Sequence, residues 1–288
     1  MRFLIIYNPN AGQRRQKLFE SVLSVLDARM IDYTLIKTEY AGHGTEIAKA
    51  FSNKDEFDVI TAAGGDGTIN EVLNGIYGTD KPLGIIPMGT ANVLAKELGI
   101  KINVHSIVSS LTNGNTASIY PAKINDQYFT LMASVGYDAL AVKNVNLSLK
   151  KKIGEVAYFI AFLKEIFFGD KRQYYCEIDG ILHPCASAIV TNGKFYAGKY
   201  VCAPNASLHD QMLHAILFKN KGAWAAIKYF IAIMTSRLAG RDDIDIIDVK
   251  SVKLKSDVVA PVQIDGDHYG ELPVSVSIAD NPITLMVP

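Results

Sequence analysis

Cysteine is scarce in this sequence, and its first residues do not have the form of a signal peptide. The three cysteines, Cys176, Cys185 and Cys202, are odd in number and include no CxxC spacing. This pattern does not predict a disulfide framework or a zinc site. We expect reduced thiols in a cytoplasmic protein. The apolar run at residues 3–7 is far too short for a signal-peptide core and predicts a first β-strand.

An excess of charge of one sign is also absent. Lys plus Arg and Asp plus Glu number 29 each, so the chain as a whole has no general attraction to nucleic acid, and none is expected as a partner. Long uninterrupted apolar runs are missing too. The longest apolar stretch, residues 222–240, contains Lys228 and Arg237 and is hardly long enough to cross a bilayer. We expect a buried or membrane-touching helix there.

The composition and the order of patterns predict a folded chain of two domains. The 288 residues are 49% hydrophobic and 20% charged, which is enough apolar surface for a core. In about the first 120 residues, short apolar runs alternate with helical patterns, which indicates an α/β domain with a mostly parallel sheet. From about residue 117, alternating strand patterns predict an antiparallel sandwich or barrel, interrupted by apolar helical segments at 153–168 and 222–238.

The predicted boundary lies near residues 120–125. We therefore expect an α/β domain at residues 1–123 and a β-sandwich domain at residues 124–280, with residues 281–288 as candidates to return to the first domain. Within the α/β domain, Thr45 is a candidate cap for the second helix.

A cluster of glycines follows the third predicted strand. Gly64, Gly65, Asp66, Gly67 and Thr68 lead directly into a helical pattern. Such a loop brings backbone N–H groups and the positive end of a helix dipole to one place, which suits a phosphate group. Glycine lets the backbone approach the anion, and the aspartate can hold Mg²⁺ or orient a hydroxyl. An ordinary tight turn is the alternative.

Two further loops of this type follow other predicted strands, at residues 8–12 and 87–92. Ligands bind where the carboxyl ends of several strands converge. The sequence contains no GxxxxGK[ST] motif, so a P-loop is not the default and the phosphate site must be of another design.

Together the three loops resemble those of the diacylglycerol kinase catalytic-domain family, which includes bacterial diacylglycerol kinases, other bacterial lipid kinases and the sphingosine kinases. Residues 8–12 correspond to its NPxxG loop, residues 64–70 to GGDGTxN and residues 87–92 to PxGTxN. The resemblance spans nearly the whole chain. It implies that residues 1–123 are a nucleotide-binding domain like those of NAD kinase and phosphofructokinase, and that residues 124–280 are the domain for a lipid substrate. It also implies ATP with Mg²⁺ in a cleft between the two domains. The residues that it places around the nucleotide are Asn8, Pro9, Asn10, Ala11, Gly12, Thr38, Gly64, Gly65, Asp66, Gly67, Thr68, Ile69, Asn70, Gly89, Thr90 and Asn92.

Carboxylates for catalysis are implied by the same resemblance. Asp138 belongs to a segment similar to the family's SxGxD, while Asp265 and Asp267 match a late motif that usually reads DGE and supplies the proton acceptor. The last carboxylate is Asp here, one methylene shorter, and catalytic contacts are sensitive to displacements of about 1 Å. From its residues alone, the segment reads as a hairpin turn. Asp66, Asp265 and Asp267 all remain candidates for the base.

A structural Mg²⁺ site remote from catalysis is implied at Ser207, Asp210 and Met212. One carboxylate with backbone carbonyls and water is an acceptable donor set for Mg²⁺. The family's usual Gly after the aspartate is Gln211 here.

A lipid acceptor requires peripheral contact with a membrane, and a homodimer is left open. Lys150, Lys151 and Lys152 lie beside the predicted helix at 153–168 and form a candidate basic edge, with a buried helix and solvated lysines as the alternative. Diacylglycerol, converted to phosphatidic acid, is the first choice of acceptor. The alternatives are a sphingoid base or another lipid, a soluble substrate as in the NAD kinases, and a catalytically silent lipid-binding regulator.

Overall fold

The computed structural model describes residues 1–12, 15–144 and 172–288. The predicted helix at 153–168 and its basic edge at 150–152 lie outside the described residues. The chain divides into two compact units, one of Met1–Tyr120 with Asp280–Pro288 and one of Pro121–Ala279. Among the described residues, no helix combines the length and the hydropathy needed to cross a membrane.

The first unit contains a six-stranded sheet in the order β2-β1-β3-β4-β20-β5. All neighbours are parallel except β20 and β5. Its strands are β1 (Arg2–Tyr7), β2 (Asp32–Lys37), β3 (Val59–Gly64), β4 (Leu83–Pro87), β5 (Thr116–Ile119) and β20 (Ile283–Met286). The continuous burial of β3 and β4 is typical of parallel strands covered on both faces.

Helices connect these strands. They are α1 (Gln16–Ala28), α2 (His43–Ser52), α3 (Asp66–Ile76), α4 (Val93–Glu97) and α5 (Val104–Thr112). The side chains of Phe19, Val22 and Leu26 bury one face of α1, as the 3.6-residue period predicts.

The start of α2 differs from the prediction. The helix begins at His43 after Gly42, whose φ is +89°, so Thr45 lies inside the first turn and is not the cap. The Glu71 carboxylate of α3 instead accepts the backbone N–H groups of Gly42 (2.9 Å) and Gly44 (3.0 Å). A distant carboxylate thereby takes the place of a local N-cap side chain.

The second unit contains two six-stranded sheets, ordered β10-β9-β16-β19-β6-β7 and β15-β14-β11-β8-β17-β18, and the small pair β12-β13. All their pairings are antiparallel. The strands are β6 (Ala122–Ile124), β7 (Gln127–Phe129), β8 (Met132–Val135), β9 (Tyr174–Ile178), β10 (Ile181–Cys185), β11 (Ser187–Thr191), β12 (Phe195–Tyr196), β13 (Tyr200–Val201), β14 (Leu213–Phe218), β15 (Ile244–Val249), β16 (Ser251–Ser256), β17 (Pro261–Ile264), β18 (Asp267–Glu271) and β19 (Val274–Ile278).

Two described helices belong to this unit, α6 (Tyr137–Asn144) and α7 (Ala223–Met234). The buried side of α7 joins a hydrophobic cluster that includes Met132 of β8, Ile189 of β11 and Ile216 of β14. The predicted fold class, an α/β domain with a mostly parallel sheet followed by an antiparallel β-sandwich domain, is confirmed.

Candidate active site

Three loops of the first unit leave the carboxyl ends of adjacent strands and bind one another. β1 and β4 both pair with β3, so the loops after these strands meet at one edge. Asn8 Nδ2 donates to Thr68 Oγ1 at 3.0 Å, which joins the first loop to the second. The backbone N–H of Met88 donates to the Gly64 carbonyl at 2.7 Å, which joins the second to the third.

Glycine is required where these loops touch. A Cβ on Gly89 would lie 2.7 Å from the Gly65 Cα atom, so the two backbones are in direct contact. A Cβ on Gly12 would lie 1.8 Å from the Met88 carbonyl oxygen, and Gly12 also has a φ of +58°. A side chain at any of these positions would push the loops apart.

Asp66 is the first residue of α3 and faces the third loop. Its carboxylate accepts the backbone N–H groups of Val93 and Leu94, both at 3.3 Å. Mg²⁺ is usually bound through one or two carboxylates together with water and substrate phosphates. The donor chemistry of Asp66 therefore fits Mg²⁺.

Arg15, a residue that the sequence analysis did not single out, lies close enough to interact with Asp66. Burial lowers the pKa of Arg15 below its ordinary value, while the Asp66 carboxylate acts in the opposite direction. Its Nη1 atom is buried, and no described residue offers it a hydrogen-bond acceptor. A buried guanidinium donor without a protein partner is costly, and a phosphate oxygen would satisfy it.

Asn92 presents a second buried polar atom at the third loop. Its Nδ2 donates to the Gly89 carbonyl at 2.7 Å, whereas its Oδ1 atom has no donor among the described residues. Asn92 is 1% exposed and has a φ of +46°, a conformation that asparagine tolerates better than most residues. The glycine contacts and the buried Arg15 donor fit a bound phosphate group, whereas the Asn92 Oδ1 acceptor needs a donor such as a hydroxyl group or water.

The other predicted nucleotide residues occupy varied positions. Thr38 is buried at the end of β2, and its N–H donates to the Tyr7 carbonyl at 2.8 Å. Asn70 is buried in α3, and Ile69 is a fully buried core side chain that could reach a ligand only through its backbone. Pro9, Asn10 and Thr90 are exposed, and Ala11 is half-buried.

In the second unit, the carboxylate of Asp265 is held by backbone donors. It accepts the N–H groups of Thr130, Leu131 and Met132 at 2.7–3.3 Å, together with the Thr130 hydroxyl at 3.2 Å. The N–H groups that these bonds engage lie in the connection between β7 and β8 and at the start of β8. The bonds favour a structural role for Asp265 over proton transfer.

Asp267 lies two residues later in an exposed position. Asp265 and Gly266 have φ values of +48° and +87°, which form the hairpin turn between β17 and β18. Asp267 is the first residue of β18 and pairs with Ile264. Of the two late carboxylates, Asp267 is thus the one whose position leaves it accessible to a substrate.

Asp138 lies at the centre of a buried polar network. Ser134 Oγ (2.6 Å) and Gln263 Nε2 (3.0 Å) donate to its Oδ2 atom, and the Tyr196 hydroxyl donates to Oδ1 at 2.6 Å. Burial raises the pKa of Asp138 above its ordinary value, although the three hydrogen bonds act against this shift. The network ties α6 to strands β8, β12 and β17.

The predicted structural Mg²⁺ segment forms a turn in which the Asp210 N–H donates to the Ser207 carbonyl at 3.0 Å. Within the described ranges, no cluster of three or more His, Cys, Asp or Glu side chains is suited to a metal. An ion here would depend on the exposed Asp210 carboxylate, backbone carbonyls and water, which Mg²⁺ accepts. Met212 could supply only its carbonyl, since its thioether is a soft ligand. The site stays a prediction.

Comparison with known proteins defines the class. Residues 2–124 match the family described as diacylglycerol kinase catalytic domain, and residues 132–287 match the YegS C-terminal NAD kinase beta sandwich-like domain. A solved structure of a diacylglycerol kinase from Bacillus anthracis str. Sterne superposes with a TM-score of 0.79 at 24% identity, covering 100% of this chain and 97% of that one. This likeness supports the fold alone.

The sequence relatives are more specific. The chain is 33% identical to a diacylglycerol kinase from Bacillus subtilis (strain 168), over 94% of this chain and 91% of the relative. It is 30% identical to one from Staphylococcus saprophyticus subsp. saprophyticus, over 94% and 90%. The chain belongs to the diacylglycerol kinase catalytic-domain family of lipid kinases, and the resemblance found in its motifs is confirmed.

Proposed function

We propose that the chain is an ATP- and Mg²⁺-dependent kinase that phosphorylates a hydroxyl of a membrane lipid, with diacylglycerol as the first candidate acceptor and phosphatidic acid as the product. The observation that carries the proposal is the joined edge of three glycine loops, together with the buried Arg15 Nη1 atom near Asp66, which has no acceptor among the described residues. Relatives named diacylglycerol kinase support the choice of acceptor. Because the acceptor belongs to a bilayer, we propose that the protein contacts a membrane peripherally. We also propose that it is located in the cytoplasm.

In this mechanism the backbone N–H groups at the start of α3 and the Arg15 guanidinium bind phosphate oxygens. Asp66 would hold Mg²⁺, which supplies charge neutralisation on the phosphates when bound. Asp267 orients the lipid hydroxyl and receives its proton as the oxygen forms its bond to the γ-phosphorus and the bond to the bridging oxygen breaks. Asp66 remains the second candidate for the base.

The proposal is tested by incubating the protein with Mg²⁺, labelled ATP and, in separate reactions, a diacylglycerol, a sphingoid base, phosphatidylglycerol or NAD, while ATP binding is measured in parallel. We expect label in diacylglycerol, and a loss of more than tenfold in Asp66→Ala and Asp267→Ala, which corresponds to a barrier higher by at least about 1.4 kcal/mol. Asp80→Ala, which removes an exposed carboxylate of the first unit, is the control and should retain activity.

The other outcomes separate the alternatives. Label in a sphingoid base or phosphatidylglycerol alone would keep the lipid kinase and replace the acceptor. Label in a soluble dinucleotide such as NAD would refute a lipid acceptor. No transfer to any acceptor, with ATP still bound, would identify a silent regulator.

A further inference from the structure

Helix α7 carries large apolar side chains on the side that faces solvent. Its inner side buries Ala226, Tyr229, Ala232 and Ile233 in the hydrophobic cluster of the second unit. On the outer side, Trp224 is 79% exposed and Ile231 is 54% exposed. The outer side of α7 therefore presents two large apolar side chains to solvent.

Basic residues surround this outer side. Lys228 lies between Trp224 and Ile231 at helical spacing and is exposed, as are Lys221 before the helix and Arg237 after it. We call Trp224, Lys228 and Ile231, with Lys221 and Arg237 at the two ends, the docking face. No described carboxylate lies within 4 Å of its three basic groups, whereas the neighbouring Lys219 and Arg241 are paired with Asp245 and Asp243.

Basic residues outnumber acidic ones along the segment that carries the docking face, although the chain has a net charge of zero. Residues 211–241 contain Lys219, Lys221, Lys228, Arg237 and Arg241 and no Asp or Glu, while Asp242 and Asp243 follow directly and Asp243 interacts electrostatically with Lys228. A positive segment with an exposed indole and an isoleucine is complementary to an anionic lipid surface, where the apolar groups enter the headgroup region and the lysine ammonium reaches the lipid phosphates.

The position of α7 in the fold suits this contact. The hydrophobic cluster beneath the helix also contains Tyr137, and Tyr196 packs against it. Tyr196 donates to Asp138, in the segment that resembles the family's SxGxD motif. The same cluster therefore supports the docking face and the polar network of the second unit.

We propose that the docking face of α7 binds an anionic lipid bilayer and holds the protein at the surface that contains its acceptor. The inference rests on the proposed lipid kinase activity for its purpose, but the binding itself does not require catalysis. It assigns the membrane contact to a segment other than the basic edge at 150–152.

The chain contains one tryptophan, so intrinsic fluorescence reports directly on Trp224. With vesicles of phosphatidylcholine and phosphatidylglycerol, we expect a blue shift of the emission and quenching by lipids brominated in the acyl chain. Vesicles of phosphatidylcholine alone, and anionic vesicles at high salt, should give a smaller change. Unchanged emission with anionic vesicles would refute the proposal.

Variants test the face itself. Lys228→Glu/Ile231→Ser keeps the tryptophan and should lower the fraction bound to anionic vesicles at least fivefold, both by fluorescence and by co-sedimentation. Ile181→Ser/Leu182→Ser removes two apolar side chains of β10 that are 63% and 53% exposed, and it should bind as the wild type does. Equal loss in both variants would contradict a specific face.

Activity separates this proposal from the preceding one. On a water-dispersed short-chain diacylglycerol, Lys228→Glu/Ile231→Ser should remain within about twofold of wild type, while phosphorylation of long-chain diacylglycerol in vesicles should fall in parallel with binding. A wild type that binds vesicles through Trp224 but phosphorylates no lipid would refute the kinase function alone. Dimer formation with a shift of Trp224 emission in the absence of lipid would identify a second copy of the chain as the occupant and overturn the proposal.

Discussion

At the scale of single residues, the role of Arg15 at the phosphate site is only partly predictable from the sequence. Arg15 follows the loop at residues 8–12 in a basic run, so its charge could have been connected with a phosphate site. The burial of Arg15 and its proximity to Asp66 could not be predicted from the sequence, because they depend on the path of the chain from β1 to α1. The glycine loops, by contrast, were predictable since their spacing alone indicates the backbone contacts.

Replacement of Arg15 tests whether its guanidinium binds the phosphates of ATP. Arg15→Gln should lower kcat/KM for ATP about 10- to 100-fold, because a charge-assisted hydrogen bond to phosphate is lost, while the free energy of unfolding should not decrease, because a costly buried guanidinium is removed. Arg29→Gln, at the exposed end of α1, is the matched control and should behave as the wild type. Steady-state kinetics with varied ATP and urea unfolding give the two numbers. An unchanged kcat/KM would remove Arg15 from the site.

At the scale of elements, the β17–β18 hairpin separates two carboxylates that the sequence places side by side. The Asp-Gly pair predicts the turn, because both residues adopt a positive φ there. The sequence does not reveal that the Asp265 carboxylate bonds to backbone groups 133–135 positions earlier. Pairings over such distances depend on the packing of the sheet.

The two carboxylates should therefore respond differently to truncation. Asp265→Ala leaves three N–H groups and a hydroxyl without their acceptor, and we expect the free energy of unfolding to fall by about 3 kcal/mol. Asp267→Ala should change it by less than about 1 kcal/mol while abolishing most activity. Urea unfolding of both purified variants provides the comparison. Equal stability of the two variants would return Asp265 to the list of candidate bases.

The network around Asp138 links elements and should make the stability of the second unit depend on pH. Because burial raises the pKa of Asp138 above its ordinary value of 3.8, the folded state holds this proton more tightly than the unfolded chain does. The contribution of Asp138 to the free energy of unfolding is fully present below about pH 4, and it is lost as the pH rises through the raised pKa.

Asp138→Asn removes this titration. The free energy of unfolding of the wild type minus that of the variant should decrease as the pH rises from about 4 towards 7. Urea unfolding at several pH values measures it, and Asp126→Asn, which alters an exposed carboxylate, should give a constant difference. A difference that grows with pH would mean that Asp138 is held as the ion.

At the scale of the whole molecule, the fold class was predictable because two hydrophobic periods follow one another along the chain. The helical and strand periods identify which layers form, but they do not indicate the order of strands in a sheet. β20 lies between β4 and β5 in the sheet of the first unit, although residues 120–282 separate it from β5 along the chain. The capping of α2 by Glu71 is a similar case, since no local pattern indicates it.

A core substitution in β20 should consequently weaken the first unit and not the second. Leu285 is fully buried, and Leu285→Ala should cost about 2–5 kcal/mol. Hydrogen exchange should then accelerate in β4 and β5, whereas Leu254→Ala, an equally buried change in β16, should accelerate exchange in β9 and β19. The same protection pattern in both variants would indicate that the units open together.

The position of β20 also bears on how the protein is made. A ribosome that adds about 5–20 residues per second needs on the order of 10–30 s to translate the stretch between β5 and β20. Throughout that time, the edges of β4 and β5 have no strand between them, and unpaired strand edges invite association with other chains. The second unit can finish folding before the first. Chaperones that shield nascent chains would therefore be needed most by the part of the protein that is translated earliest.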